Sequence, residues 1–247
     1  MDEQAEPRTL DRLSVRERPA GAPLMHQTWG KLLFMHWRVD AELLRPLVPE
    51  PLALDTFQGS AYVAVTPFTM WNVRASFMPP LPGLSALHEL NVRTYVHLDG
   101  VPGVWFLSLD ANSRAAVVGA RTLYHLPYFN AEITLAQDGG RIDYELARTD
   151  DPPADFRASW RPGGNPRFAQ PDTLEFFLTE RYCLYAAGDK RLFRARIHHQ
   201  PWPLRDAELL SLDSTMLESH GLPTPKDEPL LHYAEEIDVD IWSPDRL

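Results

Sequence analysis

Apolar and polar positions alternate most cleanly from Leu87 to Leu98. Leu90, Val92, Thr94, Val96 and Leu98 fall on one side, and Glu89, Asn91, Arg93, Tyr95 and His97 on the other. A period of two marks a strand. Asp99-Gly100-Val101-Pro102-Gly103 turns the chain into residues 104–109, an antiparallel partner by proximity. Further strands are predicted over 31–39, 60–74, 128–136 and 141–148, the last two joined by Asp138-Gly139-Gly140. Residues 181–187 and 192–199 also read as strands, as does 236–242, where Ile237, Val239 and Ile241 share one side. Helical signals are few. Asp40 caps a short helix that Pro46 and Pro49 stop, and Asn112 or Ser113 caps one running to about Tyr124 before Leu126-Pro127. Asp172 caps another through Leu178. The proline- and glycine-rich stretches at 78–83 and 162–166 read as loops.

The elements do not alternate strand and helix, which argues against a doubly wound parallel sheet. The pattern predicts an α+β fold whose mostly antiparallel sheet curls into a barrel or a two-layer sandwich with a few short helices. Residues 1–22 are polar and read as a flexible N-terminal arm, and 23–247 as a single domain.

Composition narrows the function classes. Of 247 residues, 24 are basic and 34 acidic, and the net charge of −10 lacks the basic footprint of a nucleic-acid binder. No apolar run approaches the roughly 20 residues of a membrane helix, and the N-terminus shows no export signal. One cysteine, Cys183, permits no internal disulfide and fits a reducing compartment, so a cytoplasmic location is expected. There is no phosphate-cradling glycine motif and no H-E-x-x-H. His198 and His199 point to opposite faces of a strand, and Asp238 and Asp240 read as a solvated edge, so neither a metal nor a cofactor is expected. Lys31, Lys190 and Lys226 are the only lysines, and none has an evident pocket setting for amine catalysis.

The polar side of residues 87–98 carries an acid, an amide, a guanidinium, a phenol and an imidazole in succession. Such a face either meets solvent or, inside a barrel, lines a cavity with the groups that a polar ligand needs.

Several motifs in fixed order resemble the uncharacterised YqjF-like family of bacterial proteins. They are Glu89-Leu90-Asn91-Val92-Arg93-Thr94-Tyr95-Val96, Gly103-Val104-Trp105-Phe106, Leu126-Pro127-Tyr128-Phe129, Phe177-Leu178-Thr179-Glu180-Arg181-Tyr182 and His199-Gln200-Pro201-Trp202-Pro203-Leu204. The resemblance spans residues 25–242 and also takes in His36-Trp37, Leu47-Val48-Pro49 and Leu54-Asp55-Thr56-Phe57. That family is similar in turn to the acetoacetate decarboxylase-like superfamily, which implies a closed, cone-shaped barrel around a ligand cavity. The superfamily's enzymes use a segment G-R-E-x-x-G-x-P-K-K. Arg121 and Pro127 match its arginine and proline, and Ala131 an alanine that follows, but Tyr128 and Phe129 stand at the lysine pair and Thr122 at the glutamate. Glu89 resembles the cavity glutamate of those enzymes.

Without the amine, a Schiff-base decarboxylation is not expected, because a phenol is a poor nucleophile near neutrality. The expected function is a small-molecule-binding barrel acting as a lyase or isomerase on an oxo- or hydroxy-acid. The alternative is a non-catalytic ligand-binding or sensing protein that retains the fold. The expected ligand is a small organic molecule, anionic or carbonyl-containing; homo-oligomers are compatible with the sequence. Candidate binding residues are Glu89, Asn91, Arg93, Tyr95, Arg121 and Tyr128, with Glu89 the candidate for proton transfer. Arg121 equally suits a brace on backbone carbonyls, and Tyr128 a core position with a satisfied hydroxyl.

Overall fold

The computed structural model describes residues 6–79, 86–188 and 191–247. In chain order these form α1 (Thr9–Ser14), β1 (Met25–Val39), α2 (Ala41–Leu44), β2 (Ala53–Leu54), β3 (Ala61–Ala75), β4 (Leu87–Leu98), β5 (Val101–Ala111) and α3 (Arg114–Tyr124). There follow β6 (Tyr128–Asp138), β7 (Arg141–Arg148), β8 (Asp155–Arg167), α4 (Leu174–Thr179), β9 (Cys183–Gly188), β10 (Arg191–His198), β11 (Leu204–Ser214), β12 (Leu230–Ile241) and β13 (Asp245–Arg246). The strands make one sheet in the order β13-β10-β9-β5-β6-β7-β8-β11-β12-β1-β3-β4-β2, with β10–β12 and β4–β5 also paired. Pairing is antiparallel except where β5 meets β6 and β9.

The extra pairings fold this sheet into two rings with a common wall. One ring runs β12-β1-β3-β4-β5-β9-β10 and returns to β12; the other leaves the wall at β5 and returns through β6, β7, β8 and β11. Alternation on the wall strands serves both interiors. Leu32 and Phe34 of β1 pack in the first ring, and Leu33 and Met35 in the second. On β4, Leu90 and Val92 join the second core, and all residues from Glu89 to His97 are buried. The polar side of β4 is therefore interior. The first ring closes through two thin seams, Ile197–Ile241 with His198–Asp240, and Val104–Leu184 with Trp105–Tyr185. The cone implied by the resemblance is thus a stitched ring and not a uniformly hydrogen-bonded barrel, because β9 and β10 are short and β5 diverges to β6.

Local expectations are corrected in three places. Residues 162–166 continue β8 instead of forming a loop: Ala207 pairs with Pro162 and Leu204 with Arg167. Past Trp160 this strand has no partner on its β7 side, so its prolines withhold no ladder bond there. The cap of α4 is Thr173, whose hydroxyl accepts from the Phe176 N–H, and not Asp172. Within the segment read as an arm, α1 is pinned by Arg12, which grips Asp55 through two 2.6 Å hydrogen bonds. Most of the proline loop at 78–83 lies outside the described residues, as does Lys190.

Candidate functional site

The first ring holds a cavity of about 110 Å³. Three side chains two residues apart on β4, Glu89, Asn91 and Arg93, form its polar wall, because alternate residues of a strand share a face about 7 Å apart. Thr66 of β3, paired with Asn91, adds a hydroxyl; Tyr128 enters from β6 and Tyr124 from the last turn of α3. The rest of the wall is apolar, with Trp29, Phe68, Phe106, Leu109 and Trp202 prominent.

Glu89 is 2% exposed. The Tyr128 hydroxyl donates to its Oε2 at 2.7 Å, and the Tyr144 hydroxyl donates to its main-chain carbonyl at 2.9 Å. Burial pushes the carboxyl up from its ordinary 4.5 to about 8, and the Asp110 carboxylate acts in the same direction. Hydrogen bonds from Tyr128 and Asn91 pull it down without winning. At neutral pH most of the population therefore carries a neutral acid. Burial and the adjacent Glu89 hold the Tyr128 phenol well above its usual range, and burial lifts Tyr124 to about 12, so both stay protonated.

Four buried polar atoms on this wall have no protein partner: Thr66 Oγ1, Asn91 Oδ1, Arg93 Nε and Tyr124 Oη. An unmet buried polar group costs about 1–3 kcal/mol. Four around one hollow leave unmet hydrogen-bonding capacity on its lining. Arg93 is 8% exposed, and its guanidinium carbon lies 5.3 Å from the centre of the Phe34 ring.

Of the six residues expected from sequence, Glu89, Asn91, Arg93 and Tyr128 converge on the cavity. Tyr95 does not: its ring packs 5.3 Å from that of Phe177 and its hydroxyl donates to the Leu178 carbonyl at 2.9 Å. Nor does Arg121, which is half exposed, donates to the Tyr128 carbonyl at 2.7 Å and pairs with Asp150 at 2.8 Å. It braces the strand that presents Tyr128. Sequence reasoning missed Tyr124 and Thr66. The signal for Tyr124 was its place four residues after Ala120, on the same helix face. For Thr66 it was the two-residue step to Phe68. Lys31 and Lys226 are not on the wall.

Two other buried ion networks lie outside the cavity. Asp55 binds both Arg12 and Arg181 with its side chain fully buried. In the second ring Arg148 meets Asp110 at 2.5 and 2.9 Å, donates to Ser108 Oγ at 3.0 Å and lies over the Phe129 ring at 4.2 Å. Phe129, at the second lysine position of the resemblance, is thus spent on packing. No group of three or more His, Cys, Asp or Glu among the described residues is placed to hold a metal ion. No helix among them is long and apolar enough to cross a membrane.

Residues 26–238 match the family model DUF2071, described as an uncharacterized conserved protein (COG2071). The chain is 46% identical over 224 residues to the uncharacterized protein YqjF of Bacillus subtilis (strain 168), covering 91% of this chain and 93% of that one. In fold it is similar to the enduracididine biosynthesis enzyme MppR complexed with pyruvate, with a TM-score of 0.65, 13% identity and 93% of each chain covered. It is also similar to the acetoacetate decarboxylase of Legionella pneumophila subsp. pneumophila str. Philadelphia 1, with a TM-score of 0.62, 14% identity, and 100% of this chain and 98% of that one covered. The two-ring sheet with its interior polar strand is accordingly an acetoacetate decarboxylase-like fold, and the chain belongs to the DUF2071 family of uncharacterized conserved proteins.

Proposed function

We propose that the cavity binds a compact oxo acid and exchanges a proton at the carbon beside its carbonyl, as a lyase or isomerase without covalent lysine chemistry. The observation that carries this reading is the set of four unpartnered polar atoms on one wall, next to a carboxyl whose pKa of about 8 lies close to neutrality. The volume equals that of roughly three or four liquid waters at about 30 Å³ each, which suits a molecule of about six non-hydrogen atoms. Arg93 holds the carboxylate. Tyr124 donates to the carbonyl oxygen, where charge develops as the adjacent carbon loses its proton. The ionised fraction of Glu89 takes that proton, and Tyr128 and Asn91 orient the carboxylate. The structurally similar MppR was obtained with pyruvate, which supports the ligand size.

Calorimetric titration with pyruvate tests the binding half. Binding is expected, and Arg93→Met should weaken it at least tenfold, since a hydrogen bond to a charged group is worth about 1.5–3 kcal/mol. An unchanged affinity in that variant would refute Arg93 as the anchor. Deuterium exchange of the pyruvate methyl in heavy water, followed by proton NMR, tests the catalytic half. Binding without exchange would leave a ligand-binding protein.

The pH dependence has a definite sign. Below about 8, neutral Glu89 leaves Arg93 as the cavity's net charge, which favours an anion; above it, the carboxylate opposes one. Affinity for pyruvate should be flat below about pH 8 and fall by up to tenfold per unit above it. In Glu89→Gln it should be flat throughout. An affinity that rises with pH in the wild type would contradict this assignment.

A further inference from the structure

The wall of the cavity contains a fork. Residues Val104 and Trp105 of β5 pair with β9, whereas Leu109 to Ala111 pair with β6. Between them Phe106 and Ser108 pair only with β4, at Arg93 and Val92. On the open side of this three-residue gap lies a groove of about 470 Å³, bordered by Trp105, Leu107, His125, Pro127, Ala187 and His220. Phe106 lines both this groove and the inner cavity. It is the one side chain common to the two linings, and it is half-buried, with no strand neighbour on its open flank.

We infer that the fork is the entrance to the cavity and that Phe106 is its gate, setting the size of ligand admitted. This rests on the proposed binding of a small anion, and charge supports it. Among the described residues, the groove's lining contains no carboxylate, although the chain carries 34 acidic residues. Three other surface grooves present carboxylates together with basic residues: Glu132 and Asp213 with Arg157 in one, Glu50 and Asp99 with Arg191 and Arg246 in a second, Asp227 and Glu228 with Lys226 in a third. An anion entering here passes no carboxylate of the described lining. Of the groove's two histidines, His220 is held to Ser108 Oγ at 3.1 Å, so the floor is tied to the Arg148–Asp110 pair and keeps its shape while Phe106 turns. Rotation of one ring opens the passage without breaking a ladder bond, since the gap has none to break.

A reporter thiol inside the cavity measures access without any oxo acid. Thr66→Cys places a sulfhydryl on the wall, and its modification by methyl methanethiosulfonate, which leaves a methyl disulfide and releases methanesulfinate, is timed by peptide mass mapping. Adding Phe106→Ala should accelerate labelling at least tenfold, Phe106→Trp should slow it by a similar factor, and Met70→Ala, at the opposite end of the same strands, should leave it unchanged. Acceleration by Met70→Ala together with indifference to both Phe106 variants would overturn the assignment and place the entrance at the other end. Labelling that follows Phe106 in a protein that fails to bind pyruvate would keep the gate and discard the ligand.

Discussion

Arg148→Met is expected to lower the free energy of unfolding by about 3–5 kcal/mol, because it strands the buried Asp110 carboxylate without its partner. Both side chains are fully buried, and the guanidinium also serves Ser108 Oγ, the Pro152 carbonyl at 3.2 Å and the face of Phe129. Burial already pushes Asp110 above its ordinary pKa with Arg148 in place, so the carboxylate has little margin to lose. The double replacement Arg148→Met with Asp110→Leu should recover most of the loss, since apolar residues of similar volume commonly substitute for a buried ion pair at no net cost. Urea denaturation of the three variants checks this. A single variant within 1 kcal/mol of wild type would mean that the pair does not hold the second ring. Pyruvate affinity should not change, because Arg148 is not on the cavity wall.

Glu89→Gln should slow proton exchange on pyruvate by about 10²–10⁴-fold while leaving binding at neutral pH intact, the usual size of a general acid–base contribution. The same substitution changes stability with a predictable sign. The folded carboxyl titrates near 8 and the unfolded one near 4.5, so folding takes up a proton between these values. The favourable contribution is complete below pH 4.5 and is lost as pH rises to about 8, at about 1.4 kcal/mol per unit in between. The glutamine variant lacks this slope, so its stability should gain on wild type progressively from pH 5 to 8 in denaturation curves. Parallel curves for the two proteins would show that Glu89 is ionised at neutral pH and is not the buried acid described above.

The alternation of β4 was legible because an interior strand with a cavity on one side and a packed core on the other keeps the period of an exposed one. Which face was wet was not legible, since both are buried. The strand β11 escaped notice for a different reason. Ala207-Glu208-Leu209-Leu210-Ser211-Leu212 has no β-branched or aromatic residue, and its extended form is imposed by pairing with β8. The cavity residues on β4 could be read in advance because they share one short segment. Tyr124 and Thr66 could not, because their approach to Asn91 and Arg93 depends on ring closure among elements distant in sequence. Arg121 misled because its spacing to Pro127 fits a motif, whereas its side chain turns outward to Asp150 and the Tyr128 carbonyl.

The wall strand β1 pairs with β12, bringing Met25 beside Ile241 and His36 beside Leu230. Neighbours separated by about 200 residues cannot meet until nearly the whole polypeptide has left the ribosome. At roughly 5–20 residues per second, β1 waits some 10–40 s with one hydrogen-bonding edge bare. During translation this protein therefore exposes an apolar ribbon that later becomes the partition between its two interiors.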